Sequence, residues 1–263
     1  MATLKPAGIE YDLAEAIADG LVGPHVQPVF RLSDGKLAGF EALVRWRHPK
    51  RGLLQASELI EAAESSGLMP ALSERMVAAS VDLLADWRKR HAAAQSIFMA
   101  VNVSGPEVPD GAVLRKAAAL AKAAGLPPKA LHIEITEHHI IDDHDAAAIA
   151  LTELRAAGVG VALDDFGAGF ASLGWLARFP ADLLKIDSYF IRAMEESDAA
   201  VKIIRAITAL AHELGLTVIA EGVERSDAPA RLRELGCDYA QGHFYGGAIE
   251  PDEAEQRYLK APH

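Results

Sequence analysis

The sequence predicts an α/β fold in a single domain, a (β/α)₈ barrel that opens with a β-hairpin. Three observations predict it. Short apolar runs alternate with amphipathic stretches along the chain, the pattern of βα units and a mainly parallel sheet. The count is about eight strands in 263 residues, more units than an open sheet needs. Strand after strand also ends in a polar residue, and barrels carry their chemistry at those ends.

Residues 11–22 form a short amphipathic helix stopped by Gly23-Pro24, so 1–22 read as an N-terminal extension to a domain over 23–260. Val26 to Phe30 is a strand, Ser33-Asp34-Gly35-Lys36 a turn, and Leu37 to Trp46 the returning strand. Ser57 caps a helix that Gly67 ends, and a longer helix runs from Pro70 to His91. Strands then follow at Ile97–Val103, Leu131–Ile135, Val159–Asp164, Leu183–Ile186, Leu216–Ala220 and Asp238–Ala240. Helices separate them at 110–124, 144–157, 172–178, 196–214 and 226–235, and a last one spans 251–260.

Composition narrows the function. A hydrophobic content of 51% with 24% charged residues supplies a sizeable core. A net charge of −11 argues against binding a nucleic-acid polymer, which needs a basic surface. The single cysteine, Cys237, excludes an internal disulfide and suits a reducing compartment. No apolar run is long enough for a membrane span and no signal peptide is visible, so the expectation is a cytoplasmic protein with no membrane partner.

The stretch Val161-Ala162-Leu163-Asp164-Asp165-Phe166-Gly167 organises the rest. An apolar strand stops at two adjacent carboxylates and a glycine loop follows. Alone, the pair reads as an acidic turn. The other strands change that reading. Glu41 and Arg45 lie on the second strand, Asn102 ends the third, and Glu134 ends the fourth with Glu137 beyond it. Lys185 and Asp187, then Glu221, then Gln241 close the strands that follow. Glu134 alternates with Ile133 and Ile135, so it faces away from them, whereas Glu137 has the opposite parity and suits a loop-holding role. Glu41, Glu134, Asp164, Asp165 and Glu221 would crowd about five negative charges at one mouth, more than Lys185 and Arg45 neutralise. Bound divalent cations relieve this. Oxygen ligands without convergent His or Cys point to Mg²⁺ or Mn²⁺, and a pair of such ions is a device for phosphodiester hydrolysis.

Glu41-Ala42-Leu43-Val44-Arg45 resembles the signature of EAL-domain cyclic di-GMP phosphodiesterases. The resemblance runs from about Gln27 to Glu255 through Val101-Asn102-Val103-Ser104, Glu134-Ile135-Thr136-Glu137, Asp164 to Gly169, Lys185-Ile186-Asp187, Ala220 to Glu224 and Cys237 to Gly242. It implies a modified TIM barrel with an antiparallel first strand, hydrolysis of cyclic di-GMP to linear pGpG, and two Mg²⁺ or Mn²⁺ ions per site. Carried over, Glu41, Asn102, Glu134 and Asp164 would hold one ion. Asp164 would bridge to a second, with Asp165 and Glu221 completing that side. Lys185 would orient the attacking water, with Glu221 a candidate base and Asp165 beside them. Gln27, Arg45, Asp187 and Gln241 would meet the substrate. Glu137 would hold the loop after Asp165. The resemblance also implies a homodimer, and other signalling domains fused to it or regulating it. Phe170-Ala171 and the segment His243 to Ala248 depart from the family pattern, and the second departure motivates an alternative: a cyclic di-GMP receptor or scaffold of weak turnover. A third reading is a barrel hydrolase for another phosphate ester.

Overall fold

The computed structural model describes residues 9–136, 143–167, 176 and 178–260, with side chains described from Asp12 onward. Helix α1 (Ile9–Ala18) leads into the hairpin of β1 (Val22–Arg31) and β2 (Leu37–His48), and β3 (Gly52–Leu54) folds back on the end of β2. Then come α2 (Ala56–Ser66), α3 (Met69–Arg90), β4 (Phe98–Asn102), α4 (Ala112–Ala123), β5 (Leu131–Thr136), α5 (His144–Ala156) and β6 (Gly160–Phe166). The chain continues through β7 (Leu183–Ile186), α6 (Ser188–Ala193), α7 (Asp198–Glu213), β8 (Thr217–Ala220), α8 (Ala228–Glu234), β9 (Tyr239–Gln241) and α9 (Pro251–Ala254).

Eight strands close into a ring in the order β1-β9-β8-β7-β6-β5-β4-β2, and β3 hangs outside β2. β1 is antiparallel to both of its neighbours, and the remaining ring contacts are parallel. This is the modified TIM barrel that the resemblance implies. Pro24, read from sequence as a stop, lies inside β1. The β1–β9 pairing spans only Val29 to Arg31, so the missing N–H of Pro24 falls where that side of the strand has no ladder to break.

Two cores follow from strand alternation. Outward residues such as Leu131, Ile133 and Ile135 of β5 join a large core shared with the helices. Inward residues Val29, Phe98, Ala100, Ala162, Leu183 and Ile219 plug the barrel. Two glycines make room for rings there. A Cβ on Gly39 would sit 2.6 Å from the Phe98 ring, and one on Gly160 would sit 2.2 Å from His132. Small Ala100 and Ala162 leave space above this floor for charged side chains.

Two local differences from the sequence reading have simple causes. β3 is too short to show a periodicity. α6 was missed because Asp187 looks like a strand-end acid, yet its carboxylate also accepts the Tyr189 N–H at 2.8 Å and caps a helix. The helix expected at 172–178 lies largely outside the described residues.

Candidate metal centre

The mouth of the barrel is built from the ends of consecutive strands. Glu41 comes from β2, Asn102 from β4, Glu134 from β5, Asp164 and Asp165 from β6, Lys185 from β7 and Gln241 from β9, while Glu221 directly follows β8. Glu41, Glu134 and Asp164 bring carboxylate oxygens within 4.8 Å of one another, and Asp164, Asp165 and Glu221 do the same. The two groups share Asp164.

Asp165 reaches the same mouth as its neighbour through an unusual backbone. Its φ is +55°, and the β6–β7 register shifts between Leu163 and Phe166. Strict alternation would aim adjacent side chains to opposite faces. The bulge and the left-handed residue turn Asp165 back. Its N–H donates to Asp164 Oδ1 at 2.9 Å.

Lys185 sits at the centre, almost wholly buried. Its Nζ lies 2.7 Å from Glu221, 3.0 Å from Glu134 and from Asp164, and 3.4 Å from Glu41. Burial alone would discharge the ammonium, but Asp164, Glu134, Glu221 and Glu41 outweigh it and hold its pKa well above the usual value. The acids feel the same crowding. Burial and the charge on Glu41 push Glu134 well above the carboxylate range, despite Lys185. Burial lifts Glu221 to about 8 against the pull of Lys185. Burial, then Asp164 and Asp187, lift Asp165 to about 6. Glu41 is lowered: burial opposes ionisation, and Lys185 with hydrogen bonds from Gln241 and Asn102 overcomes it.

Five carboxyls around one ammonium leave room for added positive charge. Carboxylate and amide oxygens suit hard divalent cations. A further observation fits: Gln241 Oε1 is buried without a hydrogen-bond partner. Asn102 presents Nδ2 to Glu41 at 2.9 Å and to Glu134 at 3.3 Å, so Oδ1 is the end of this amide that could meet a cation.

The remaining sequence candidates divide. Asp187 stands beside Asp165 and caps α6. Gln27 and Gln241 bond to each other at 3.0 Å. Arg45 lies farther along β2, where its guanidinium donates to the Val44 carbonyl. It lines a separate cavity of about 260 Å³ with His25, Arg47 and Glu250. Glu137 and Phe170-Ala171 lie outside the described residues. The sequence reading missed the wall of the main cavity. That cavity, about 330 Å³, runs from the acids and Thr136 to Leu43, Ile60, Met69 and Met76. Thr136 was legible from its alternation with Glu134, but the apolar wall comes from α2 and α3 and carries no local signal.

A family model described as EAL domain matches residues 10–248. An "uncharacterized signaling protein" of Caulobacter vibrioides is 38% identical over 235 residues, covering 89% of this chain and 28% of that protein. Cyclic di-GMP phosphodiesterase PA2567 of Pseudomonas aeruginosa is 34% identical over 229 residues, covering 87% of this chain and 38% of that one. This chain therefore spans well under half the length of either relative. Among solved structures, PaMucR phosphodiesterase in complex with c-di-GMP superposes with a TM-score of 0.84 at 32% identity, covering 92% of this chain and 98% of that one.

Proposed function

The chain belongs to the EAL domain family, and on that premise we propose that it is a phosphodiesterase that hydrolyses cyclic di-GMP to linear pGpG with divalent cations. The observation that carries the reading is the pair of carboxylate groups sharing Asp164 at the barrel mouth. In this reading Glu41, Asn102, Glu134 and Asp164 hold one Mg²⁺ or Mn²⁺, and Asp164, Asp165 and Glu221 hold a second. Two such ions, when bound, polarise the scissile phosphate and acidify the attacking water.

The chain's own residues do the rest. Lys185 Nζ, fixed by carboxylates on several sides, orients the water and adds positive charge where the phosphoryl oxygens gain negative charge. Glu221, adjacent to Lys185, takes the proton of the water. Without cations Glu221 holds its own proton at neutral pH, and positive charge in the site releases it and leaves a competent base. In this reading Asp187, beside Asp165, and Arg45, farther along β2, serve as substrate contacts. Residues 23–260 act as the catalytic domain and 1–22 as its lead-in.

The test is product formation. Purified protein incubated with cyclic di-GMP and Mn²⁺ or Mg²⁺ yields pGpG by chromatography, and EDTA stops it. No product at micromolar enzyme with either ion overturns the reading. The same reading includes a homodimer, which light scattering of the purified chain measures, and a cytoplasmic location, which cell fractionation measures. No helix among the described residues is long and apolar enough to cross a membrane.

A further inference from the structure

Gln27 and Gln241 stand where substrate contacts are expected, yet their NH₂ groups donate to the protein. Gln241 Nε2 donates to Glu41 Oε2 at 2.7 Å and to Gln27 Oε1 at 3.0 Å. Gln27 Nε2 donates onward to the Gly246 carbonyl at 3.1 Å. The direction of this chain is fixed at both ends. A backbone carbonyl and an ionised carboxylate only accept, so each amide must turn its NH₂ towards them. Strand register supports it: Gln27 stands opposite Glu41 across β1–β2, and Gln241 lies on β9, the other neighbour of β1.

The far end of the chain is anchored. The segment around Gly246 is tied by the Phe244 N–H to the Val223 carbonyl at 3.0 Å and by the Ile249–Val26 bridge. The Tyr258 hydroxyl donates to the Tyr245 carbonyl at 3.1 Å. Gly246 has φ +149°, and a Cβ there would lie 2.6 Å from that hydroxyl, so the backbone passes Tyr258 at a distance only glycine permits.

We infer that Gln27 and Gln241 are positioning residues that transmit the placement of the 242–249 segment to the Glu41 carboxylate and so set the cation affinity of the cluster, rather than contacts to the substrate. The inference rests on the metal-dependent reading above. Glu41 has other partners in Asn102 and Lys185, but its Oε2 takes its shortest hydrogen bond from Gln241. Partners that orient a metal-ligating group typically change metal affinity about 10–100-fold when removed.

The test uses Gln27→Met, Gln241→Met and the double variant, all close to isosteric, in the EDTA-treated full chain. Mn²⁺ binding is measured by calorimetry, and KM for cyclic di-GMP at saturating Mn²⁺. Each single variant weakens Mn²⁺ binding about 10–100-fold and leaves KM within about twofold. Because Gln27 acts through Gln241, the double variant binds Mn²⁺ no more weakly than Gln241→Met, within about twofold. A raised KM with unchanged Mn²⁺ binding makes both residues substrate contacts and overturns the inference. Additive losses overturn the shared path. Gln27→Asn guards against misfolding: one methylene too short to span both bonds, it shifts Mn²⁺ binding in the same direction, and unchanged affinity again overturns the inference. Wild-type protein that binds no Mn²⁺ overturns the metal-dependent function itself, and this inference with it.

Discussion

Replacing Lys185 by methionine tests the centre of the site. Methionine nearly conserves the volume and removes the charge that lies between 2.7 and 3.4 Å from Glu221, Glu134, Asp164 and Glu41. At an effective dielectric of about 20, one contact near 3 Å is worth about 5 kcal/mol before desolvation. Burying the ammonium costs much of that, and protons on Glu134 and Glu221 reduce the number of charged partners. The net loss expected is about 3–5 kcal/mol, the usual result of removing one member of a buried ionic group. Urea denaturation in EDTA measures it. Adding Mn²⁺ at 100 times the wild-type dissociation constant returns about 2.7 kcal/mol to wild type, and at that same concentration the variant gains at least as much because no ammonium competes for the carboxylates. Turnover falls at least about 100-fold, the scale for losing one preorganised electrostatic donor. Identical stabilities in EDTA would show that Lys185 does not neutralise the cluster and would refute the electrostatic account.

Glu41→Gln keeps shape and removes a charged ligand, so pGpG formation drops at least about 100-fold, read by chromatography at saturating Mn²⁺; retained turnover removes the residue from the metal set. Asp182 pairs with Arg155 at 2.8 Å and Lys129 at 2.9 Å, and although burial opposes ionisation these bonds lower its pKa to about 2 from 3.8. A depressed carboxyl stabilises the fold above its unfolded pKa and loses that contribution as pH falls through the folded one. Asp182→Asn is therefore about 2 kcal/mol less stable near pH 6, with the gap closing between about pH 4 and pH 2; a gap constant over that range contradicts the assignment. Asp165→Ala carries a backbone strain of about 1–2 kcal/mol that Asp165→Asn avoids, because asparagine tolerates the left-handed region; equal melting temperatures of the two metal-free variants would count against strain at Asp165. Gly160→Ala drives a methyl into His132 and lowers stability by about 1–3 kcal/mol, measured by thermal melting.

The acids of the mouth were legible because a barrel converts strand position into spatial position. Glu41, Glu134, Asp164, Lys185 and Glu221 are far apart in sequence, but neighbouring strands bring them to one mouth. What the sequence could not supply were relations between strands. Nothing local reveals that Lys185 touches four acids, that Asp165 is turned back by a bulge, or that Gln27 and Gln241 bond to each other. Gly39 and Gly160 read as ordinary strand glycines until the Phe98 and His132 rings across from them are seen. α6 was hidden for a different reason, since one aspartate serves both as a rim acid and as a helix cap.

The reversed direction of β1 decides where the outside world meets this barrel. In an all-parallel ring the first strand starts at the floor, far from the chemistry. Here Val22 pairs with Trp46, beyond Glu41 on β2, so the chain comes in at the rim and descends. α1 rests there against α2 and α3, where Arg75 of α3 holds the Gly20 carbonyl at 3.0 Å. α2 and α3 also supply the apolar wall of the main cavity through Ile60, Met69 and Met76. A tug or twist applied through the leading helix would therefore reach the acid-lined cavity through α2 and α3, without crossing the plugged interior.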